Sequence, residues 1–442
     1  MKKVPVHILC LLGAIGLTFN AHADDLEKIL SLALENDPQI NQTKAAYAAA
    51  LESRPQARAN FLPNISFSVN TTDNAQDRQF GAGSIFSGNE DFNSHGYTLS
   101  LTQPVYNRDS IVQRRQTDAI VGEAKANLSS SEQSLVIRVA ERYFDILAAE
   151  DNVTFAKTEK KAIARQLKQT NERFEVGLIP ITDVNEAQAS YDLSIADEID
   201  ADNTLLNARE GLREITSNYH EILAPLIANT PLISPDPENI ERWVEVALNE
   251  NLSVIAAEFA STNLRHAIDR AKSGLYPTVD IVASRSNNVS AGGSLGGSEI
   301  DSTALGLELN VPLYAGGRIF SQARQAQARL EESNQLLEQQ RRSVVRQVRE
   351  SYLGVLASIS RVEALVQAEK SSQSALEANE VGLEVGTRTT VDVLNARRVL
   401  FGAKRDLARA RYDYILNTLR LKQAAGTLTN NDIREVNRWL AR

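Results

Sequence analysis

Residues 385–395 read VGTRTTVDVLN, a Gly-Thr-Arg break with an Asp behind it inside a stretch that is otherwise continuous helix. Residues 176–186 read VGLIPITDVNE, so the Val-Gly pair and an Asp six residues after the Gly occur twice, 209 residues apart (386 − 177). A recurrence at that distance in a chain of 442 residues points to internal duplication, which decides the fold before any single element is assigned. Working outward, LEKILSLALENDPQINQTKAAYAAALESRPQARANFLPNISFSV (26–69) lies over IERWVEVALNENLSVIAAEFASTNLRHAIDRAKSGLYPTVDIVA (240–283). YTLSLTQPVY (97–106) lies over LGLELNVPLY (305–314), and ERYFDILA (141–148) over ESYLGVLA (350–357). The repeats are assigned to 24–224 and 240–426, joined by the Pro-rich segment 225–239 and followed by a C-terminal segment, 427–442.

Each half contains two stretches of strict alternation. Ile65, Phe67 and Val69 alternate with serines, and Tyr97, Leu99 and Leu101 with Thr98, Ser100 and Thr102. In the second half Val279, Ile281 and Ala283 flank Asp280, while Leu305, Leu307 and Leu309 alternate with Gly306 and Glu308. Period two with one apolar face predicts strands at about 62–73, 95–106, 276–287 and 302–314. Aliphatic residues on one face and Asp280 and Glu308 on the other suit a membrane barrel with a wet lumen. Phe61, Tyr106, Tyr276 and Tyr314 fall at the helix-proximal strand ends beside Pro63, Pro104, Pro277 and Pro312. They fit a membrane-interface girdle, or simply strands that end in aromatics. The Gly/Ser/Asn-rich linkers 72–94 and 287–301 suit exposed loops.

The remainder is helical. No proline occurs from Asp109 to Glu175, so a single helix there would run roughly 100 Å at 1.5 Å per residue. Leu330, Leu337 and Val344, then Leu400, Leu407, Tyr414 and Leu421, recur every seventh residue, which is coiled-coil spacing. The two helical hairpins turn near 176–183 and 385–392. Gly177 and Gly386 stand past a helix C-terminus, and Thr182, Asp183 and Thr390 where an N-cap is wanted. Four strands cannot close a barrel, because both edges would stay unpaired in lipid, so the strands must come from several chains. A mainly α protomer of two β-hairpins and long coiled-coil helices follows.

MKKVPVHILCLLGAIGLTFNAHA (1–23) has two lysines, an apolar run and small residues at Ala21 and Ala23, the pattern of a secretory leader. Cys10, the single cysteine, falls within it, so the rest of the chain owes nothing to disulfides. The formal net charge of −9 becomes −11 without Lys2 and Lys3, which disfavours nucleic acid as a partner. Past residue 23 no apolar run is long enough for a transmembrane helix.

VGTRTTVDVLNARR (385–398), RQLKQTNERFEVGLIPITDV (165–184) and LKQAAGTL (421–428) make the chain resemble the TolC family of outer-membrane efflux ducts, over nearly its whole length past the leader. The resemblance implies a homotrimer whose 3 × 4 = 12 strands form one outer-membrane β-barrel, continued by a helical α-barrel in the periplasm of a Gram-negative bacterium. It implies export of drugs or type I secreted proteins, received from an inner-membrane efflux pump or ABC transporter through a periplasmic adaptor. By the same resemblance Asp392 lines the periplasmic entrance as a ring of carboxylates, open to block by multivalent cations. Its residue-level alternative is a first-turn charge complementing the helix dipole. The family carries a second acidic ring where this chain has Asn395, which implies weaker cation selectivity and block. Gln166, Thr182, Asp183, Glu380 and Arg388 occupy the positions of gate latches between neighbouring hairpins. Gln166 and Glu380 also read as an ordinary solvated helix face. A Tyr latch of the family is replaced by Leu383. The tips Val176, Gly177 and Leu178, and Val385, Gly386 and Thr387, correspond to adaptor-docking points.

No cofactor and no catalytic residue is expected. His95 is assigned to a loop, His220 and His266 are scattered, and HEILA (220–224) lacks the second His of a zinc motif. GGSLG (292–296) matches a nucleophile-elbow pattern without the following helix that chemistry requires. The remaining alternative is a secreted trimeric coiled-coil adhesive or structural protein, which explains the heptads but not the paired hairpins.

Overall fold

The computed structural model describes residues 23–78, 88–227, 230–293 and 296–441. The expected leader, apart from Ala23, and Ser294 and Leu295 of GGSLG lie outside the described residues. The first half contains α1 (Leu26–Asn36), α2 (Pro38–Leu51), α3 (Ser53–Ala59), β1 (Asn64–Arg78), β2 (Gly88–Tyr106), α4 (Arg108–Glu175) and α5 (Ile181–Thr216). The second contains α6 (Ile240–Glu250), α7 (Leu252–Ser273), β3 (Thr278–Ser290), β4 (Ser298–Asn310), α8 (Arg318–Glu384) and α9 (Thr390–Ala424), with α10 (Asn430–Asn437) after it. The order is the same in both, with one difference. Pro55 in the first half would clash with the carbonyl of Leu51, so the helix closes there and restarts as α3. The second half has no proline at the matching place, and α7 runs unbroken for 22 residues.

The four strands form one antiparallel sheet in the order β1-β2-β3-β4, leaving β1 and β4 as edges. Register places Ile65 opposite Leu101, Phe67 opposite Leu99, Leu101 opposite Ala283 and Ile281 opposite Leu307, so the apolar residues share a face. On that face Phe67, Val69, Leu305 and Leu307 are each at least 66% exposed, an apolar surface that nothing within the protomer covers. The other face is polar: the Ser66 and Ser100 hydroxyls lie 2.7 Å apart, and Asp280 stands opposite Glu308. The strands reach further into the loops than alternation indicates, with β1 continuing to Arg78 and β2 starting at Gly88. Where both faces are wet the apolar period disappears while the backbone ladder continues. His95 is therefore in β2, between Thr71 and Val289, not in a loop. At the other end β4 stops at Asn310, short of 314, because Pro312 has no N–H for a ladder.

α4 spans 68 residues, roughly 100 Å. None of the helices is long and apolar enough to cross a membrane among the described residues. The core is a belt about halfway along α4 and α8, where Tyr143 and Phe144 of α4 cluster with Val344 and Val348 of α8 and Tyr412 and Ile415 of α9. Both ends of the described residues wrap this belt. Tyr143 donates its hydroxyl to the Ala224 carbonyl at 2.8 Å, Leu26 N donates to Asn437 Oδ1, and Ala441 N to the Pro225 carbonyl. The heptad residues Leu400, Leu407, Tyr414 and Leu421 are all buried.

α10 opens with a capping box in which Asp432 accepts from the Thr429 N–H and hydroxyl while Thr429 accepts from Asp432 N. Burial would raise the Asp432 carboxyl, but hydrogen bonds from Lys422 and Thr429 outweigh it and hold it below its ordinary value. A depressed folded-state value contributes stability that is complete above the unfolded carboxyl pKa, about 3.9, and is lost as pH falls through the lower folded value. Thermal unfolding between pH 7 and pH 3 should therefore show a shallower acid loss in Asp432→Asn than in the parent. The variant should be about 1 kcal/mol less stable at pH 7. Parallel curves would show that the pair contributes nothing.

Candidate functional site

At the far end of the long helices each hairpin turns through the same device. α4 ends at Glu175 and α8 at Glu384, and the chain leaves each through a glycine in the left-handed region, Gly177 at φ 76° and Gly386 at φ 80°. The Leu178 N–H returns to the Arg173 carbonyl and the Thr387 N–H to Gly382, each closing a Schellman turn. Val176, Leu178 and Val385 are each 69% exposed on the outside of the turns.

The restart of the helix differs between the halves. The N-cap of α9 is Thr389, one residue before the expected Thr390, which is instead buried in the first turn. Asp392 completes a capping box, accepting from the Thr389 N–H and hydroxyl at 2.9 Å each. Those Thr389 bonds, helped by the Arg388 charge, hold the Asp392 carboxyl below its ordinary value. In the first half Pro180 stands where the second has Thr389, and no side chain caps α5. Pro180 offers neither an N–H nor a hydroxyl, so Asp183 cannot close the same box. Among the described residues its carboxylate has only a long 3.4 Å contact, accepted from the Thr182 hydroxyl. Thr182 and Asp183 therefore sit in the first turn of α5, not at its cap.

Of the expected latch residues, the protomer brings Gln166 and Glu380 together along one polar cavity of about 490 Å³, which Leu383 also lines. Between them stands Arg397, which the sequence reading did not single out. Its guanidinium bonds Glu380 at 2.7 Å and the Ala162 carbonyl at 3.1 Å. The Arg-Arg pair at 397–398 falls inside a quoted motif, but its partners lie 17 and 235 residues away, beyond any local pattern. Arg388 meets neither Thr182 nor Asp183 by hydrogen bond within the protomer among the described residues, and its stem packs over Gly382. Asn395 is exposed on α9. At the sheet end Phe61, Tyr276 and Tyr314 are exposed just outside the strands, Tyr106 ends β2, and Arg108 lies 5.6 Å from the centre of the Tyr276 ring.

Among the described residues no cluster of His, Cys, Asp or Glu is arranged to hold a metal. His220 is buried and bonded to Asp24 and Thr216, a packing role. What the ends of the molecule present is a charged, jointed tip and an apolar, open-edged sheet.

Comparison with known proteins agrees. The family described as outer membrane efflux protein matches residues 29–218 and 243–427, the two repeats. The chain belongs to this family. It is a TolC-like outer-membrane efflux or secretion duct of Gram-negative type, and not an enzyme. It is 39% identical to the outer membrane protein TolC of Vibrio cholerae over 444 residues, covering all of this chain and 99% of that one. Against TolC of Escherichia coli it is 35% identical over 453 residues, with 100% and 90% covered. The Campylobacter jejuni CmeC outer membrane channel has the same fold, with a TM-score of 0.78 at 14% identity over 100% of this chain and 98% of that one. Family membership disposes of the secreted adhesin alternative.

Proposed function

We propose that this chain works as a homotrimeric exit duct. Three four-stranded sheets close one 12-stranded barrel in the outer membrane, and the long helices form a periplasmic tube that meets an adaptor and an inner-membrane pump or ABC transporter. One observation carries the reading: the sheet ends in two unpaired edges, β1 and β4, and exposes its aliphatic face. Unpaired edges are not tolerated in lipid, so β1 of one copy must meet β4 of the next. The aromatics Phe61, Tyr106, Tyr276 and Tyr314 would then mark the periplasmic interface of the membrane.

At the other end Asp392 serves two roles in this reading, capping its own helix through one oxygen and presenting charge to the entrance. Asp183 and Thr182, left unlocked by Pro180, are suited to bond Arg388 of a neighbouring copy. The exposed tips around Gly177 and Gly386 are the adaptor's docking points. Cargo is set by the inner-membrane partner: relatives include the alkaline protease secretion protein AprF of Pseudomonas aeruginosa and the outer membrane efflux protein BepC of Brucella suis.

The test is single-channel conductance of the purified protein in a planar bilayer, with a trivalent cation titrated on the periplasmic side. Small cation-preferring steps that the cation blocks are expected, with block lost in Asp392→Ala and strengthened in Asn395→Asp. A folded protein that stays silent, and stays silent again as Arg388→Ser, would end the duct reading.

A further inference from the structure

α9 lies antiparallel along α4 and is tied to it at intervals. Arg420 bonds Glu141 near the belt, Tyr412 bonds Asp151, and Arg405 bonds Glu159. Nearest the tips comes Arg397. Among the described residues no hydrogen bond or ion pair joins the two helical hairpins beyond it.

Among the described residues no buried apolar cluster spans the two hairpins beyond that point. The apolar cluster nearest the tip, Leu376, Val393 and Leu400 with Leu383 and Ala396, comes wholly from α8 and α9. It makes their tip one stiff body without fastening it to α4. Between that body and α4 lies the polar cavity already described, which includes Arg165, Arg173 and Glu384 in its wall. A polar gap offers little close-packed contact to resist displacement. The guanidinium of Arg397, itself buried, therefore fixes where the α8–α9 tip stands relative to α4.

We propose that Arg397 is a gate-positioning residue. Its fork pins α8 through Glu380 and α4 through the Ala162 carbonyl, and so sets the position of Asp392 at the mouth. This rests on the duct reading, and it gives Glu380 its partner within its own protomer. A planar fork bonds carboxylate and carbonyl together, which a lysine ammonium on a flexible stem does less well. Freeing the clamp lets the tip of α8 and α9 swing into the cavity, with the pairs nearer the belt as its fulcrum.

Because Cys10 is the only cysteine and lies before Asp24, a chain from Asp24 onward accepts spin labels at introduced cysteines alone. Labels at Leu178→Cys and Thr387→Cys, in protein diluted with unlabelled chains, report the distance between the two tips of one protomer by electron–electron resonance. The parent should give one narrow distribution. Arg397→Met should broaden and shift it, and raise conductance by about tenfold, the scale set by losing one charge-assisted hydrogen bond from the closed state. Arg397→Lys and Glu380→Gln should fall between, and they carry the same test should Arg397→Met fail to assemble. Distances unchanged in all three variants would overturn the clamp, even if the parent conducts as a duct. Distances that respond in a protein that never conducts would uphold the clamp's geometry and sink the duct reading instead.

Discussion

Replacing Gly426 by alanine should destabilise the protein by about 3 kcal/mol, a left-handed backbone penalty of 1–2 added to an overpacking penalty of similar size. Gly426 ends α9 at φ 79°, and a Cβ there would lie 2.3 Å from the Glu250 carbonyl oxygen and 2.8 Å from the Asn251 Cα. Both are backbone atoms at the α6–α7 junction, where Asn251 also bonds the Ala424 carbonyl, so neither can step aside. Gln133 of α4 meanwhile bonds the Gly426 carbonyl, and any shift breaks that contact too. The repeat supplies its own control. Ser217 ends α5 at the matching position with φ 59°, the single described non-glycine residue at positive φ. Ser217→Gly should therefore stabilise by about 1 kcal/mol. Thermal unfolding in detergent reads both variants, and a Gly426→Ala protein as stable as the parent would refute the assigned contact.

The second large effect is expected at the belt. Phe144 is fully buried, edge-on to Tyr143 at 5.6 Å and stacked on Tyr412 at 5.5 Å. Truncation to alanine should cost about 3–5 kcal/mol, the range for losing a buried aromatic ring. Near-ultraviolet circular dichroism and denaturant unfolding measure it. A loss below 1 kcal/mol would mean that the belt relaxes around the gap. Since residues 26–40, 223–224 and 428–440 and faces of α4, α5, α8 and α9 converge there, this variant should also lower the yield of folded protein.

Much of the architecture is legible in the sequence because its signals are periodic. Leu400, Leu407, Tyr414 and Leu421 announce a buried seam and are buried. Ile65, Phe67 and Val69 announce a one-sided strand and share an exposed face. Strand ends are less legible, since Asp73, Asn74 and Gln76 pair in the ladder as polar residues on both faces and carry no apolar period. The cap of α9 was misplaced by one residue because two threonines adjoin, and only backbone geometry distinguishes Thr389 from Thr390. Arg397 was invisible for a different reason. Its role depends on the register of α9 against α4, which no spacing within either helix encodes. Among the described residues Arg388 makes no hydrogen bond to Thr182 or Asp183 within the protomer, which no spacing in the sequence could have told.

The central pairing of the sheet has a consequence for how the molecule is made. β2 joins β3 over Ser94 to Tyr106 and Val279 to Ser290, and the whole of α4, α5, α6 and α7 is threaded between those two segments. A contact so distant along the chain closes slowly, because the loop entropy must be met before any ladder bond forms. Synthesis from the N-terminus delivers the first hairpin long before its neighbour exists. Until then β2 is an open edge beside an aliphatic face, the kind of template on which chains aggregate. The local helical pairs can fold first and draw β2 and β3 together at one end. On this order of events the helices act as the jig on which the membrane sheet is assembled last.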